Sequence, residues 1–557
     1  MNLKKILPNA ILLAIICAIC FSAPNAPAMA AGERTKLEKK DLKKLRKQAA
    51  NRARRIVYND DGCHAVKGTT AEDWLACRVK QVTNTQVDTI SYCTGGGGVF
   101  WSHQAKVGEV LGAWVEEGHG EYVKQMRDIL IALNKQGTDP LGVVIDYAHK
   151  NNMEVLWSYR MNNPECSFAT WALSTRKREH PEYIMGTKDD WKKYPHSNPK
   201  AWYTLSDYER PEVRDHIVNI FEDVCRRYDI DGIELDFIRH PLFFRPNLEG
   251  KPVEPRHVAM MTDMVRRIRA VTERESIKRG HPILVSIRVP LSVKSCMDIG
   301  LDIRAFLEED LMDIMIAGQD YIQMSVASSL QDMVELGHKY QVPVYALLVP
   351  PKPYDRYRHD NRAWWAAAMN RWYWGADGIY LFNLFPTEPD ERFSQLGSVE
   401  SLKGRDKIYA IDNPAQEDVL GTFKMAMVGP NRLPITVEPN KYATAKLPVG
   451  EDIVANTPAG KTVSTLLRLR LASMVQGDTF EVKFNGRPLT VTGPVNPLSA
   501  TPSSAWFHVK FDPKLVKAGY NAISLQLVTK RPASTRVVLD ALDVVVTYFD
   551  AAAKNAK

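Results

Sequence analysis

Short hydrophobic runs alternate with amphipathic segments through the central part of the chain. Eight runs have the length and the β-branched content of strands, at 55–59, 87–93, 154–161, 232–237, 283–289, 313–317, 343–349 and 378–383. Segments such as 211–227, 257–275, 328–339 and 362–374 repeat apolar positions at helical spacing. The alternation predicts parallel βα units, and eight of them favour a closed (β/α)8 TIM barrel over 55–405. One further short strand near 202–205 is an alternative.

The hydrophobic pattern changes after about residue 432. Alternating apolar and polar positions then predict strands without helices, at 466–471, 479–484, 506–511, 521–527 and 536–548. Asn485-Gly486 is a strong hairpin signal between two of them. We therefore predict an all-β, jelly-roll-type sandwich over 430–550 and a linker near 400–430.

The N-terminus has the pattern of a secretory signal. Lys4 and Lys5 precede an apolar run over 6–21, and Ala28-Met29-Ala30 provides a small-x-small cleavage site. The alternative is a membrane anchor, but the run is too short to span a bilayer of about 30 Å comfortably. We expect a cleaved signal peptide over 1–30, a secreted or periplasmic protein, and no stable membrane insertion. A basic helix is expected over 31–54.

Composition and charge narrow the classes of partner and cofactor. The 557 residues are 45% hydrophobic and 25% charged, as in a packed globular protein. The net charge of +8 matches the basic excess of 33–55 alone, so a nucleic-acid surface is not expected. Six cysteines follow the signal without a CxxC pair, and we expect no cofactor and no structural zinc. A Cys63–Cys93 disulfide and a cation held by Asp60 and Asp61 are possible alternatives.

The fourth predicted strand carries two acids on one face. Because side chains alternate along a strand, Glu234 and Asp236 share the face opposite Ile233, Leu235 and Phe237. With the apolar face toward the helices, both carboxyls enter the barrel, and Asp236 is nearer the rim where barrel chemistry occurs. Two acids so close push their pKa values apart, as acid–base catalysis requires. The alternative is that both acids only brace neighbouring arginines.

Three motifs resemble those of the glycosyl-hydrolase-like barrels, the family-ten-like group. They are DGIELDF at 231–237, WSYRMN at 157–162 and NDDG at 59–62, and the resemblance extends over roughly 55–400. It implies carbohydrate hydrolysis. The first motif is also similar to the strand-four motif of chitinases, but Ile238 occupies the position of the chitinase catalytic glutamate. Chitinase chemistry is therefore not carried over to this chain.

Other polar residues at predicted strand ends complete the candidate site. We predict Asp236, Glu234 and Asp320 as catalytic, with Glu388 as the second choice after Asp320 for the missing acid. Two long insertions, near 94–120 and 162–200, follow strands and suggest a shaped cleft; the second is rich in aromatic residues that either stack on sugars or pack the insertion. The predicted substrate-binding residues are Arg160, Asn162, Arg288, Asn59, Asp60, His240, Arg239, Asn383, Glu388 and Trp171.

These patterns predict an exported glycoside hydrolase that acts on a poly- or oligosaccharide through an oxocarbenium-like transition state. Asp236 is the expected nucleophile or base, and Glu234 its electrostatic partner or an alternative acid. Retention and inversion both stay open, because the separation of the carboxyl groups decides between them. Two rivals are a non-catalytic glycan-binding barrel and a barrel hydrolase or lyase acting on another polymer.

Overall fold

The structure of the chain is a computed structural model. It describes residues 37–62, 66, 68–96, 100–110, 121–164, 167, 173–195, 198–318, 330–349, 357, 359–411, 433–530 and 536–551. The predicted signal peptide, Cys63, Trp171 and Asp320 lie outside these residues. Within the described part of the chain, no helix has the length and apolar character needed to cross a membrane.

Eight parallel strands close into a barrel in which each strand pairs with its neighbours in sequence, and the last pairs with the first. This confirms the predicted fold class. All eight are fully buried or nearly so, since both faces are covered. The strands are β1 Ile56–Asp60, β2 Val87–Gly96, β3 Glu154–Arg160, β4 Gly232–Asp236, β5 Leu284–Val289, β6 Ile314–Ala317, β7 Val344–Leu348 and β8 Gly378–Leu381.

The helices surround the barrel or lie in its loops. The main ones after the strands are α3 Glu121–Lys135, α4 Pro140–Lys150, α7 Pro211–Arg227, α9 Pro255–Arg279, α12 Gln331–Lys339 and α13 Asn361–Tyr373. The others are α1 Lys39–Ala50, α2 Ala71–Ala76, α5 Thr175–Glu179, α6 Lys188–Lys193, α8 Arg245–Leu248, α10 Val293–Asp298, α11 Ile303–Glu308, α14 Arg392–Gln395 and α15 Val399–Leu402.

The basic helix α1 is held against the barrel by one buried arginine. Arg46 donates to the fully buried carboxylate of Asp313 at 2.7 Å and to Glu273 at 2.9 Å. Leu42 and Ala50 lie on the same buried side of α1, whereas most of its lysines are exposed. The positive charge of this segment is therefore mainly a solvated helix face.

In their described residues, the two long insertions contain short regular elements, including α5 and α6 in the second. The first contains a two-stranded parallel ribbon, Phe100–Trp101 with Glu109–Val110. In the second, the stretch near 202–205 is not a strand, and a single bridge joins Ile184 to Ser206. The N–H groups of Met185 and Gly186 donate to the carbonyls of Leu205 and Tyr203 at 2.8 and 3.0 Å, but this short pairing makes one bridge and no continuous ladder.

Two antiparallel sheets follow the barrel. Their strands are β9 Lys407–Ile411, β10 Ile435–Val437, β11 Ala443–Val449, β12 Lys461–Met474, β13 Phe480–Phe484, β14 Arg487–Leu489, β15 Ser503–Phe511, β16 Gly519–Leu527 and β17 Val537–Asp550. One sheet has the order β9, β17, β12, β15, with β10 also paired with β17, and the other has the order β11, β16, β13, β14. The first strand, β9, lies in the stretch predicted as a linker.

The antiparallel sheets share apolar surface with the barrel. Ile408 of β9 and Val545 of β17 belong to the same buried cluster as the barrel helices, and Ala366 of α13 belongs to the cluster between the sheets. Gly450 follows β11 and lies so close to α13 that a Cβ atom there would be 2.5 Å from the carbonyl oxygen of Met369. The barrel and the sheets are therefore in direct contact.

Candidate active site

The register of three neighbouring strands arranges the site in two layers. Ser158, Glu234 and Ser286 are aligned across β3, β4 and β5. Two residues nearer the C-terminal ends, Arg160, Asp236 and Arg288 form the next layer. Because alternate residues point to the same side, both layers project into the barrel, with the second nearer the mouth.

Glu234 is sealed inside the barrel and surrounded by hydroxyl groups. Ser158 donates to its carboxyl group at 2.7 Å, Ser91 at 2.8 Å and Tyr380 at 2.9 Å. Its side chain has no exposed surface. Burial, followed by the charge of Asp236, raises the pKa of Glu234 to about 7, although the serine hydroxyls oppose the shift.

Asp236 is held in one orientation by three donors. The backbone N–H groups of Ile238 and Arg239 donate to Oδ1 at 2.9 and 3.1 Å, and Arg288 donates to Oδ2 at 3.0 Å. The guanidinium of Arg288 lies over the ring of Phe382, 3.8 Å from its centroid. The turn after β4 and the neighbouring strand β5 therefore fix the orientation of the Asp236 carboxylate and place a positive charge beside it.

A second carboxylate, Asp61, lies at the mouth directly after β1. Arg160 pairs with it at 2.5 Å. The amide of Asn383, in the orientation that satisfies both of its atoms, donates to the two Asp61 oxygens at 3.1 and 3.2 Å. Burial acts to raise the pKa of Asp61, but the charges of Arg160 and Arg239 lower it overall, so Asp61 is ionised at neutral pH. Sequence reasoning noted Asp61 at the strand exit but placed Asp60 in the substrate-binding set instead.

Asp60 bonds to the turn after β1 and to two neighbouring side chains. It accepts from Tyr58 at 2.9 Å, from the N–H of Gly62 at 2.7 Å and from Arg78 at 3.2 Å. These bonds satisfy a fully buried carboxylate and fix the turn after β1. The geometry supports a role of Asp60 in holding the turn rather than in touching a sugar.

Two predicted binding residues have contrasting polar environments. Asn162 accepts from the N–H of Ser206 at 2.9 Å and donates to the carbonyls of Ser206 and Leu242 at 3.0 and 2.6 Å. Asn59 donates to the carbonyl of Ser91 at 3.2 Å, while its side-chain oxygen is buried with no protein partner among the described residues. Asn162 thus braces two loops, whereas Asn59 keeps an acceptor available.

His240 lies in the turn after β4 with a left-handed backbone, at φ 75°. Its ring packs edge-on against Trp202, with centroids 5.1 Å apart. Burial, followed by the charges of Arg239 and Arg160, lowers the pKa of His240 well below its ordinary value, so the imidazole is neutral at pH 7. The neutral ring can donate or accept a hydrogen bond to a hydroxyl.

Three other predicted residues are the acids Asp320 and Glu388 and the substrate-binding residue Trp171. Glu388 is exposed, and Asp320 and Trp171 lie outside the described residues, so their predicted roles are untested. In the part of the chain that the structure covers, no group of three or more His, Cys, Asp and Glu side chains is arranged to hold a metal ion.

Several site residues were missed, and one of them had a signal in the sequence. Tyr380 occupies the position in DGIY, 377–380, that Glu234 occupies in DGIE, 231–234. The two repeats place both side chains inside the barrel, where they bond to each other. Ser91 on β2 and Phe385, which stacks on the guanidinium of Arg78 at 4.1 Å, had no comparable pattern.

Comparisons with solved structures find a distant likeness in fold. One is α-L-fucosidase isoenzyme 2 from Paenibacillus thiaminolyticus, 14% identical over 62% of this chain and 48% of that chain, with a TM-score of 0.37. Another is chitinase ChiW from Paenibacillus sp. str. FPU-7, 12% identical over 84% and 52%, with a TM-score of 0.36. This chain thus spans about half the length of each. The PgaB (BpsB) glycoside hydrolase domain from Bordetella bronchiseptica is 10% identical over 61% and 95%, with a TM-score of 0.34.

No curated protein matches the chain. A family model does, over residues 122–247, and its description is glycosyl hydrolase-like 10. The matched stretch contains β3, β4 and the two layers' central acids, Glu234 and Asp236. The resemblance to the glycosyl-hydrolase-like barrels is therefore confirmed over residues 122–247, which match the model described as glycosyl hydrolase-like 10.

Proposed function

We propose that the chain is a glycoside hydrolase that cleaves a poly- or oligosaccharide at the C-terminal mouth of the barrel. The observation that carries the proposal is the arrangement of two carboxylates, Asp236 and Asp61, among arginine and amide donors at that mouth. Glycosidic bond cleavage uses a carboxylate at the anomeric carbon together with a general acid, and the mouth is where barrel enzymes perform their chemistry. Asp236 is the first of these groups, and Asp61 holds Arg160 and Asn383 beside it.

We assign to Asp236 the role of attacking the anomeric carbon, either directly as nucleophile or as the base that activates water. Its three donors keep the carboxyl group in one orientation, and the guanidinium of Arg288 provides a positive charge beside it. Preorganisation of this kind lowers the reorganisation needed when positive charge develops on the sugar ring.

Glu234 is assigned to positioning rather than to acid catalysis. It has no exposed surface, and hydroxyl groups from three strands contact its carboxyl group. A protonated or half-protonated Glu234 one layer below Asp236 limits the negative charge in the barrel. This supports the predicted role of electrostatic partner over that of alternative acid.

The general acid is assigned to Asp320, which directly follows the β6 end of the barrel in sequence. Asp61 is unsuited to donate a proton, because Arg160 and Arg239 lower its pKa. Glu388 remains the second choice, because it follows β8 and is exposed to solvent. In sequence, both residues come after a barrel strand, and barrel enzymes place their catalytic groups after the C-terminal ends of the strands.

We assign to polar and aromatic side chains around the mouth the role of binding the sugar. Asp61 holds Arg160 and Asn383, whose N–H groups can donate near the mouth, and His240 provides a neutral ring. Phe385, 40% exposed, and Trp202 present aromatic surface at the rim. Sugar C–H edges pack on such rings, while hydroxyls bond to the polar groups. We also propose that residues 1–30 direct export.

The deciding experiment measures new reducing ends released from a panel of polysaccharides and aryl glycosides. We expect Asp236→Asn to lower kcat/KM by about a thousandfold or more, since removal of a reacting group has effects of this size. Asp61→Asn and Asp320→Asn should also lower it. Glu400→Gln, whose side chain is 79% exposed on α15, serves as the control and should match the wild type.

Three results would contradict the assignment. Full activity of Asp236→Asn would remove that residue from the chemistry. Binding of a saccharide without any release of reducing ends by the wild type would instead favour a non-catalytic glycan-binding barrel. Products without a new reducing end would favour a lyase or a hydrolase of another polymer.

A further inference from the structure

A second cleft, outside the barrel mouth, lies where the barrel meets the antiparallel sheets. Its volume is about 320 Å³. Tyr357 and Asp360 line it from the loop between β7 and α13, and the sheet side is formed by Arg468, Val495, Trp506 and His508. Asp360 is the N-cap residue of α13, so the barrel side of the cleft lies at the N-terminal end of this helix.

The charged groups of the cleft are paired with one another. Arg468 donates to the buried carboxylate of Asp543 at 2.6 Å, and Tyr357 donates to the same carboxylate at 2.7 Å. On the barrel side, Arg362 pairs with Asp360 at 2.7 Å. Each positive group thus has a negative partner, and the cleft offers polar surface without a strong excess of either charge.

The uncharged part of the lining is aromatic and apolar. Trp506 on β15 is half-buried, and the guanidinium of the cross-strand residue Arg470 lies 5.7 Å from its ring centroid. Val495, 52% exposed, is attached beside it through its N–H, which donates to the carbonyl of Trp506 at 2.8 Å. Burial and the charge of Arg468 lower the pKa of His508, so its ring is neutral at pH 7.

We propose that this cleft binds neutral sugar residues, as a second saccharide site distinct from the barrel mouth. Trp506 would pack on the apolar edge of a pyranose ring, and Asp360, Arg468 and His508 would bond to its hydroxyls. A neutral sugar fits better than a uronic acid, because the arginines are already compensated by carboxylates. The inference rests on the proposed function for the choice of saccharides as ligands.

The test uses the full-length mature protein carrying Asp236→Asn, so that no probe is hydrolysed. The probes are hexasaccharides of glucose, N-acetylglucosamine, xylose and mannose, with a galacturonic acid hexasaccharide as the charged comparison. Tryptophans are labelled with fluorine, and the Trp506 resonance is assigned from Trp506→Phe. We expect at least one neutral hexasaccharide to shift the Trp506 resonance and the galacturonic acid probe to leave it unchanged.

Affinity measured by calorimetry completes the test. Trp506→Ala should weaken binding of the same hexasaccharide about tenfold or more, as the loss of an aromatic anchor does at a binding hot spot. The control, Tyr520→Ala, removes a 40% exposed aromatic from the other sheet and should leave affinity unchanged.

The proposal is overturned if no neutral hexasaccharide shifts the Trp506 resonance, or if only the galacturonic acid probe does. It is also overturned if Trp506→Ala and the control bind equally well. Release of reducing ends by the protein with Asp236 intact is scored separately. Cleavage without a Trp506 shift rejects this cleft alone, whereas a shift without cleavage rejects the hydrolase and retains the cleft.

Discussion

At the scale of single residues, two acids on one strand differ because their surroundings differ. Glu234 receives hydroxyl donors and no cation within hydrogen-bonding distance among its described partners, whereas Asp236 receives an arginine and two backbone N–H groups. Burial therefore keeps a proton on Glu234 up to about pH 7. The compensated carboxylate of Asp236 stands nearer the mouth.

The titration of Glu234 predicts a pH dependence of stability. Its pKa is raised from 4.5 to about 7 in the folded state, so the fold retains a proton that the unfolded chain releases. The resulting stabilisation is fully present below about pH 4.5 and is lost as the pH rises through 7. Linkage limits this contribution to about 3 kcal/mol. We expect the thermal unfolding midpoint of Glu234→Gln to fall less between pH 5 and 8 than that of the wild type.

The matched control for this experiment is Glu400→Gln, an exposed carboxyl on α15. The thermal unfolding midpoint of this variant should fall between pH 5 and 8 by as much as that of the wild type. Equal pH dependence of Glu234→Gln and the wild type would show that Glu234 keeps an ordinary pKa in the folded protein. Thermal melts followed by circular dichroism provide the measurement.

At the scale of elements, the aspartates that precede β4 and β8 make the same pair of contacts. Asp231 accepts from the N–H of Val155 at 2.8 Å and contacts His149 at 2.9 Å. Asp377 accepts from the N–H of Val344 at 2.7 Å and contacts His338 at 2.8 Å. The aspartate before each strand thus binds the start of the preceding strand. The DGI motif that occurs at both 231–233 and 377–379 reflects this shared geometry.

Loop bracing by Asn162 gives a prediction at this scale. Asn162→Ala removes three bonds that join the loop after β3 to Ser206 and Leu242, and it leaves their buried backbone groups unsatisfied. We expect the free energy of unfolding to fall by about 2–4 kcal/mol, because unsatisfied buried polar groups carry a penalty of this order. Urea unfolding measures the change.

Asn134→Ala is the corresponding control, since this asparagine is exposed near the end of α3. Its free energy of unfolding should stay within about 0.5 kcal/mol of the wild type. If Asn162→Ala kept wild-type stability and lost only affinity for the substrate, the side chain would act on the sugar and not as a brace.

At the scale of the whole molecule, the barrel and the antiparallel sheets are stabilised by common apolar clusters. Ile408 and Val545 pack with the barrel helices, and α13 contributes Ala366 to the cluster between the sheets. We expect the wild type to unfold in one calorimetric transition, because neither part can lose its partner without exposing apolar surface.

Gly450→Ala tests this coupling. Its Cβ would approach the Met369 carbonyl oxygen to 2.5 Å and the Asn370 Cα to 2.7 Å, both of them backbone atoms of α13. The helix and β11 must separate, at a cost of about 1–3 kcal/mol for overpacking. The calorimetric transition should move to lower temperature and divide into two. Ala455→Val adds bulk at an exposed position nearby and should leave one transition; an unchanged Gly450→Ala would argue against the coupling.

The barrel could be predicted from local patterns, but the identity of the second carboxylate could not. All eight strands were expected within two or three residues of their bounds, because a strand buried on both faces is a dense apolar run. Four strands of the antiparallel sheets were missed. β10 and β14 have three residues each, which carry too little periodicity to predict a strand. β9 lies in the stretch predicted as a linker, and Pro448 within β11 argues against a strand there. Asp61 was ranked below Asp60, because no local pattern tells which of two adjacent acids will face Arg160.

The presence of Glu234 and Asp236 in one interior follows from the sequence alone, since side-chain direction along a strand is a local property. The groups that contact each acid there depend on the three-dimensional fold. Register across β3, β4 and β5 placed serines beside Glu234 and arginines beside Asp236, and barrel closure brought Tyr380 of β8 to Glu234. These contacts join residues far apart in the chain, so their electrostatics follow from strand pairing and closure rather than from any local pattern.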